Sequence, residues 1–71
     1  MTQEMKILEY IEKHGSITQL EATMELGITR LAARIADLRD AGHDIISEYE
    51  VGLNRFGEKT RYKRYRLAVR T

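Results

Sequence analysis

Residues 26–45 read LGITRLAARIADLRDAGHDI, and this stretch decides the fold. Its large apolar residues recur at i, i+4 and i+7, the spacing of one narrow stripe on a helix, and they are Leu31, Ile35 and Leu38. Gly27 stands before that helix, Gly42 stands after it, and a strand-like run begins at Ile45. A helix with a single apolar stripe has one side anchored in a core. The pattern therefore predicts a helix whose outer side is free to meet a partner.

The length and composition bound the class of protein. A chain of 71 residues has one small core, so residues 1–71 are predicted to form a single domain. The chain has no Cys, which excludes thiolate metal sites and fits a reducing compartment. No apolar run approaches the ~20 residues of a membrane helix, and the opening MTQEMKI lacks the pattern of a signal peptide. We therefore expect a cytoplasmic protein with no membrane partner.

The charges are segregated along the chain. Residues 1–51 carry five basic and ten acidic side chains, a net charge of −5. Residues 52–71 carry seven basic side chains, including Arg70, against Glu58 alone, a net charge of +6. Such asymmetry favours a polyanionic partner for the basic end. The alternative is a basic segment that serves only solubility.

Helix 1 is predicted from Gln3 to His14. Thr2 can cap its first turn, and Gly15 can take the left-handed conformation that ends a helix. A short extended link at Ser16 and Ile17 follows.

Helix 2 is predicted from about Gln19 to Leu26. Thr18 and Glu21 have the spacing of a capping box, in which each side chain accepts a backbone hydrogen bond from the other residue. Leu20 and Met24 are predicted to point inward, at the i, i+4 spacing of one helix face.

Helix 3 is predicted to begin near Thr29, a candidate N-cap, and to run to Ala41. At 100° per residue, five side chains project away from the apolar stripe: Thr29, Arg30, Ala33, Asp37 and Asp40. Arg34 and Ala36 flank them.

The remainder predicts a β-hairpin. Residues 45–51 alternate in polarity, residues 60–67 are rich in Tyr, Thr and basic side chains, and the loop between them contains glycine. The hairpin needs support from the helices, and the side chains expected to supply it are Ile45 or Ile46, Tyr49, Tyr62 or Tyr65, and Leu67.

In this order of elements the chain resembles the winged helix-turn-helix family. Residues 26–30 resemble its turn, residues 45–67 resemble its wing, and the signature of recognition helix, glycine and strand is matched by Leu31, Ile35, Leu38, Gly42 and Ile45. Within the family the chain looks most like small helix-turn-helix proteins of phages and prophages, and more distantly like the DNA-binding end of biotin-operon-type repressors. The turn from Gly27 to Leu31 is short for the family. The resemblance implies an α+β winged helix-turn-helix fold, with three helices, a short strand between helices 1 and 2, and a C-terminal hairpin.

The resemblance also implies that helix 3 lies in the major groove of double-stranded DNA while the wing touches the backbone or the minor groove. Arg30 and Arg34 fall in the first turns of helix 3, where recognition helices meet base edges. An arginine there can bind guanine O6 and N7 together. Thr29 and the helix N-terminus can hold a phosphate, and Ala33 can admit a thymine methyl group.

Acidic neighbours limit this interpretation. Arg34 can instead form an ion pair with Glu21 or Asp37. Asp37 and Asp40 would face phosphates if the whole helix entered the groove, so we expect only its N-terminal half to enter.

In the wing, Arg55 stands at the expected tip beside Asn54 and Phe56, where an arginine can enter a narrow minor groove. Phe56 is either a wedge or an apolar cap on the hairpin. The candidate phosphate contacts are Lys59, Arg61, Lys63 and Arg64.

Alternation divides the basic residues of the wing between its two faces. Arg61 and Lys63 share one face with Tyr65, whereas Arg64 and Arg66 share the other with Tyr62. The sequence alone leaves open which of the two faces meets DNA.

The predicted function is sequence-specific binding of double-stranded DNA by a small transcriptional regulator or a phage-type accessory factor, in the nucleoid of a bacterial or phage-infected cell. Two alternatives are a winged-helix module that binds proteins and an RNA-binding adaptor. No enzymatic motif, cofactor, metal site or small-molecule ligand is indicated, because His14 and His43 are isolated and no ligand spacing is present. We expect a monomer or a weak homodimer on DNA.

Overall fold

The fold is α+β, as predicted, and residues 2–68 form three helices and a three-stranded antiparallel sheet. A computed structural model describes residues 2–68, so Arg70 lies outside the described residues. The elements are α1 (Gln3–His14), β1 (Ile17–Thr18), α2 (an α-helical turn, Gln19–Glu21, that continues as a π-helical turn, Ala22–Leu26), α3 (Leu31–Asp40), β2 (Ile45–Leu53) and β3 (Lys59–Leu67). The strand order is β1-β3-β2, so the short strand β1 adds to the hairpin as the third strand. In residues 2–68 there is no helix with the length and apolarity needed to cross a bilayer.

Both ends of α1 are fixed by the residues predicted to fix them. The Thr2 hydroxyl accepts a hydrogen bond from the Met5 amide at 3.2 Å, and Gly15 has φ 88°. The face between them buries Ile7 and Ile11 together with Tyr10. The predicted bounds of this helix are confirmed.

The start of α2 is also confirmed, but its inward face is not the predicted one. The Thr18 hydroxyl accepts from the Glu21 amide, and the Glu21 carboxylate accepts from the Thr18 amide at 2.9 Å, which completes the capping box. Leu20 and Met24, predicted to point inward, are 68% and 76% exposed. Ala22 is the fully buried residue of this helix.

The side of α2 that carries Gln19 and Thr23, about 100° around the helix from Leu20 and Met24, faces the turn. The Gln19 carboxamide nitrogen donates to the Ile28 carbonyl at 2.9 Å, and the Thr23 hydroxyl donates to the same carbonyl at 3.2 Å. Gly27 has φ 70°, a left-handed conformation that a residue without Cβ adopts at little cost, and it reverses the chain at this point. These contacts hold Gln19 and Thr23 toward the turn, and Leu20 and Met24 consequently face solvent.

The start of α3 differs from the prediction for the same reason. Thr29 is not its N-cap: the helix begins at Leu31, and Arg30 occupies the N-cap position without a capping side chain of its own. The Leu31 amide instead donates to the Gln19 carboxamide oxygen at 3.0 Å. A residue of α2 therefore caps α3 from across the short turn, and α3 ends at Asp40, one residue before the predicted end.

The core forms where the apolar stripe of α3 meets α1 and the sheet. Leu31, Ile35 and Leu38 are buried, as predicted, and they belong to one cluster with residues of the other elements: Ile7, Tyr10, Ile11, Ile17, Ala22, Ile28, Ile45 and Tyr65. Of the aromatic residues offered as hairpin supports, Tyr65 is buried, whereas Tyr49 is 63% exposed. The hairpin is thus anchored at its base, and its far half projects beyond the core.

Both hairpin strands extend farther toward the loop than predicted, to Leu53 and from Lys59. Asn54 organises the loop, because its side-chain oxygen accepts from the Phe56 amide at 2.9 Å and from the Glu58 amide at 3.0 Å. The Asn54 amide also donates to the Glu58 carbonyl at 3.0 Å. Because these hydrogen bonds hold the loop closed, the strands stay paired up to the residues that flank it, Leu53 and Lys59.

Gln19→Ala removes the cap of α3 and the donor to Ile28. We expect it to lower the free energy of unfolding by about 1–2 kcal/mol, measured by urea denaturation at neutral pH. Gln3→Ala is the matched control, since Gln3 is the first residue of α1 and is exposed. Equal losses in the two variants would contradict a capping role for Gln19.

Candidate nucleic-acid interface

The strand register sorts the side chains of the hairpin onto two faces, because residues directly opposite each other in an antiparallel ladder share a face. We call one face the hairpin front, defined by Tyr49, Val51, Leu53, Lys59, Arg61 and Lys63. We call the other the hairpin back, defined by Glu48, Glu50, Tyr62, Arg64 and Arg66. The two faces carry basic residues in different electrostatic settings.

On the hairpin back the arginines are engaged in ion pairs. The Arg64 Nε lies 2.8 Å from a Glu50 carboxylate oxygen, and its Nη1 donates to the Ser16 hydroxyl at 2.9 Å and lies 3.7 Å from Glu21. Arg66 forms an ion pair with Glu48. Arg64, offered by the sequence as a phosphate contact, therefore joins the hairpin to the capped start of α2.

Glu50 is the centre of this network. Its second carboxylate oxygen accepts from the Tyr62 hydroxyl at 2.8 Å. The hydrogen bond from Tyr62, together with that from Arg64, lowers the pKa of the Glu50 carboxyl below its ordinary value. The same Glu50 hydrogen bond raises the pKa of Arg64. Both residues are consequently charged and mutually satisfied near neutral pH.

On the hairpin front the basic residues lack such partners. Among residues 2–68, no carboxylate lies within 4.0 Å of the charged groups of Lys59, Arg61 or Lys63. The Arg61 guanidinium lies 4.7 Å from the Tyr49 ring centroid, and the Lys63 ammonium lies 5.2 Å from it. A ring at these distances attracts a cation and orients it without neutralising it. The front therefore presents a row of uncompensated positive charge.

Tyr49 is a member of this surface that the sequence did not reveal. Polarity alternation placed it among the core candidates, whereas the register sets it opposite Lys63 and beyond the core. Only the pairing of the two strands, which no local pattern in β2 encodes, would have identified it.

The loop places three sequence-predicted residues at the tip of the hairpin. Arg55 and Phe56 are exposed, Phe56 by 77%. The Asn54 oxygen is occupied within the loop, and its side-chain nitrogen lies 3.4 Å from Glu58. Asn54 thus shapes the loop that carries Arg55.

At α3 the structure separates Arg30 from Arg34. Arg30 is exposed at the N-cap, beside the exposed Thr29. Arg34 is one-third exposed, and its Nη2 lies 3.2 Å from Asp37 while its Nη1 lies 3.9 Å from Glu4. The ion pair with Asp37 confirms one of the two partners considered from the sequence. Glu21, the other, contacts Arg64 instead.

The outer face of α3 is turned slightly from the predicted one. Ala33 is half-buried, whereas Ala32 and Ala36 are exposed. Ala32 lines a groove of about 620 Å³ between α2, α3 and β3, and the groove is also lined by Thr18, Gln19, Leu20, Thr60 and Tyr62. The sequence did not group these residues into one surface, because they come together only when the hairpin packs beside α2.

The helices α2 and α3, the tight turn at Gly27 and the basic hairpin define a helix-turn-helix protein with a β wing. Residues 2–70 match the family model of the winged helix-turn-helix domain, and the chain belongs to that family. No curated protein and no solved structure gives a significant match. The fold of this family is one of nucleic-acid binding rather than catalysis.

Glu50→Gln tests the network that positions the wing. Because folding lowers the pKa of Glu50, its ionised form contributes stability above the unfolded value of 4.5, and that contribution is lost as the pH falls through the lower folded value. We expect the variant to unfold at lower urea than the wild type at pH 7, with the difference narrowing as the pH drops below 4.5. Glu9→Gln, on the exposed side of α1, is the control. A difference that is unchanged at acid pH would contradict the ion-pair account.

Proposed function

We propose that the protein binds double-stranded DNA in a sequence-specific manner, as a small transcriptional regulator or a phage-type accessory factor acting at the nucleoid. The observation that carries the proposal is the row Lys59, Arg61 and Lys63 on the hairpin front, which has no carboxylate partner in residues 2–68. A row of uncompensated cations on a projecting hairpin suits a phosphate backbone.

The wing supplies most of the affinity in this proposal. Its front contacts successive phosphates and releases their counterions, a contribution that does not depend on sequence. Arg55 at the tip enters the minor groove or reaches the adjacent backbone. Asn54 serves indirectly, because its hydrogen bonds to the Phe56 and Glu58 amides hold the loop that presents Arg55.

Helix α3 supplies the selectivity. Arg30 is exposed at its start and meets a base edge, while Thr29 beside it contacts a phosphate. Arg34 contributes only by exchanging its ion pair with Asp37 for a DNA group. Ala33, half-buried, offers a small surface at the same end of the helix. Since Asp37 and Asp40 follow, the N-terminal half of α3 is the part that enters the major groove.

The double variant Lys59→Ala/Arg61→Ala tests the wing. We expect the slope of log K against log salt to fall in magnitude by about two, roughly one for each lost phosphate contact, measured on mixed-sequence duplex DNA. Lys6→Ala/Lys13→Ala removes the same charge from α1 and serves as the control. DNA binding that is indifferent to the wing substitutions, or that shows no salt dependence, would refute the proposal.

Arg30→Ala tests the selectivity of α3. We expect discrimination at one or more base positions to fall by about 1–3 kcal/mol, measured by selection from a randomised DNA library followed by binding of single sites. Lys59→Ala is the comparison, because loss of a phosphate contact weakens all sequences alike. An unchanged preference in Arg30→Ala would assign selectivity to other residues.

A protein-binding module is the second candidate function, and one observation favours it. Leu20 and Met24 stand one helical turn apart on α2 and are 68% and 76% exposed. Leu20→Ser/Met24→Ser separates the two functions, since DNA binding through α3 and the wing predicts an unchanged salt slope. The same salt series on an RNA duplex tests the adaptor alternative.

A further inference from the structure

Within residues 2–68, no strand pairs with the outer edge of β2. The sheet order β1-β3-β2 makes β2 an edge strand along nine residues, Ile45–Leu53. Its ladder with β3 is one-to-one from end to end, without a bulge to twist the edge away. A long regular edge exposes backbone donors and acceptors that can pair with another strand.

The usual protections of an edge strand are missing from β2. The chain has no Pro, and β2 contains no Lys or Arg. Its two carboxylates, on Glu48 and Glu50, are drawn back to arginines of β3. On the other face Tyr49, Val51 and Leu53 are 63%, 63% and 71% exposed. The edge is therefore long, regular and apolar on one face, and its two carboxylates are paired with arginines.

We infer that the β2 edge pairs with the β2 edge of a second copy of this chain. Electrostatics disfavours two registers of that antiparallel pairing. If the two-fold axis passes through Tyr49, Glu48 of one copy lies opposite Glu50 of the other copy. If it passes through Glu50, the Glu50 carboxylates of the two copies lie opposite each other. Like charges directly opposite each other destabilise a sheet, so these two registers are unfavourable.

A two-fold axis at Val51 avoids this repulsion. Glu50 then lies opposite Gly52, and Glu48 lies opposite Asn54, so each carboxylate faces an uncharged residue. Val51 is opposite itself, and Tyr49 is opposite Leu53 on the hairpin front.

This arrangement keeps the basic surfaces together. The axis of an antiparallel edge pairing is perpendicular to the sheet, so both hairpin fronts point to the same side. The strands overlap from Tyr49 to Leu53, which buries much less than the roughly 1,200 Å² of a stable interface. The dimer is therefore weak in free solution and is strengthened when both copies share one DNA duplex.

The absence of native Cys makes disulfide trapping a direct test. We expect Val51→Cys to form a disulfide-linked dimer in a glutathione redox buffer, without DNA, on the order of tenfold faster than Phe56→Cys. Phe56 is the more exposed residue, at 77%, but it lies far from the axis. The Tyr49→Cys and Leu53→Cys variants, when mixed, should form the mixed dimer faster than either forms a dimer with itself.

Equal rates for Val51→Cys and Phe56→Cys would overturn the inference, and so would a mixed dimer that forms no faster than the self-dimers. Urea denaturation of each reduced variant checks that it is folded. Because trapping is carried out without DNA, its result is independent of the proposed DNA binding. If either the dimer or the DNA binding is refuted, the other proposal is still decided by its own experiment.

Discussion

The Gln19 carboxamide makes the contacts on which the arrangement of the helices depends. Its oxygen accepts from the Leu31 amide, which starts α3, and its nitrogen donates to the Ile28 carbonyl in the turn. The N-cap residue Arg30 supplies no capping side chain, and α2 provides one from twelve residues earlier in the chain. On its other side α2 is held to the wing by the contact between Glu21 and Arg64. One short helix thus fixes both surfaces proposed to meet DNA.

Successive residues of a strand point to opposite faces, and this alternation decides which basic side chains of the hairpin are paired with carboxylates. The net charge of +6 over residues 52–71 suggests a uniformly basic wing, but the acidic residues of β2 lie on only one face. Glu48 and Glu50 neutralise Arg66 and Arg64 on the hairpin back, whereas β2 contributes only uncharged side chains to the front. The positive potential is therefore concentrated on one face. The paired arginines stabilise the position of the wing instead of adding to its affinity.

Features of the fold that depend on residues close together in the sequence were predicted correctly. The apolar stripe of α3 and the capping residues Thr2 and Thr18 depend on spacing within a few residues, and the structure has each as expected. The start of α3, the exposure of Leu20 and Met24, and the place of Tyr49 depend on contacts between segments, and the sequence prediction was wrong for all three. Gln19 illustrates why contacts between distant segments are hard to predict from the sequence. Nothing in its neighbourhood distinguishes a surface glutamine from one that caps another helix.

The central claim is that one surface, made of the start of α3 and the hairpin front, meets DNA. Amide chemical-shift mapping during titration with duplex DNA tests it most directly. The account predicts changes concentrated in residues 29–34 and 55–63, with α1 and the exposed side of α2 unaffected. Changes centred on Leu20 and Met24, or none outside the chain termini at saturating DNA, would contradict it.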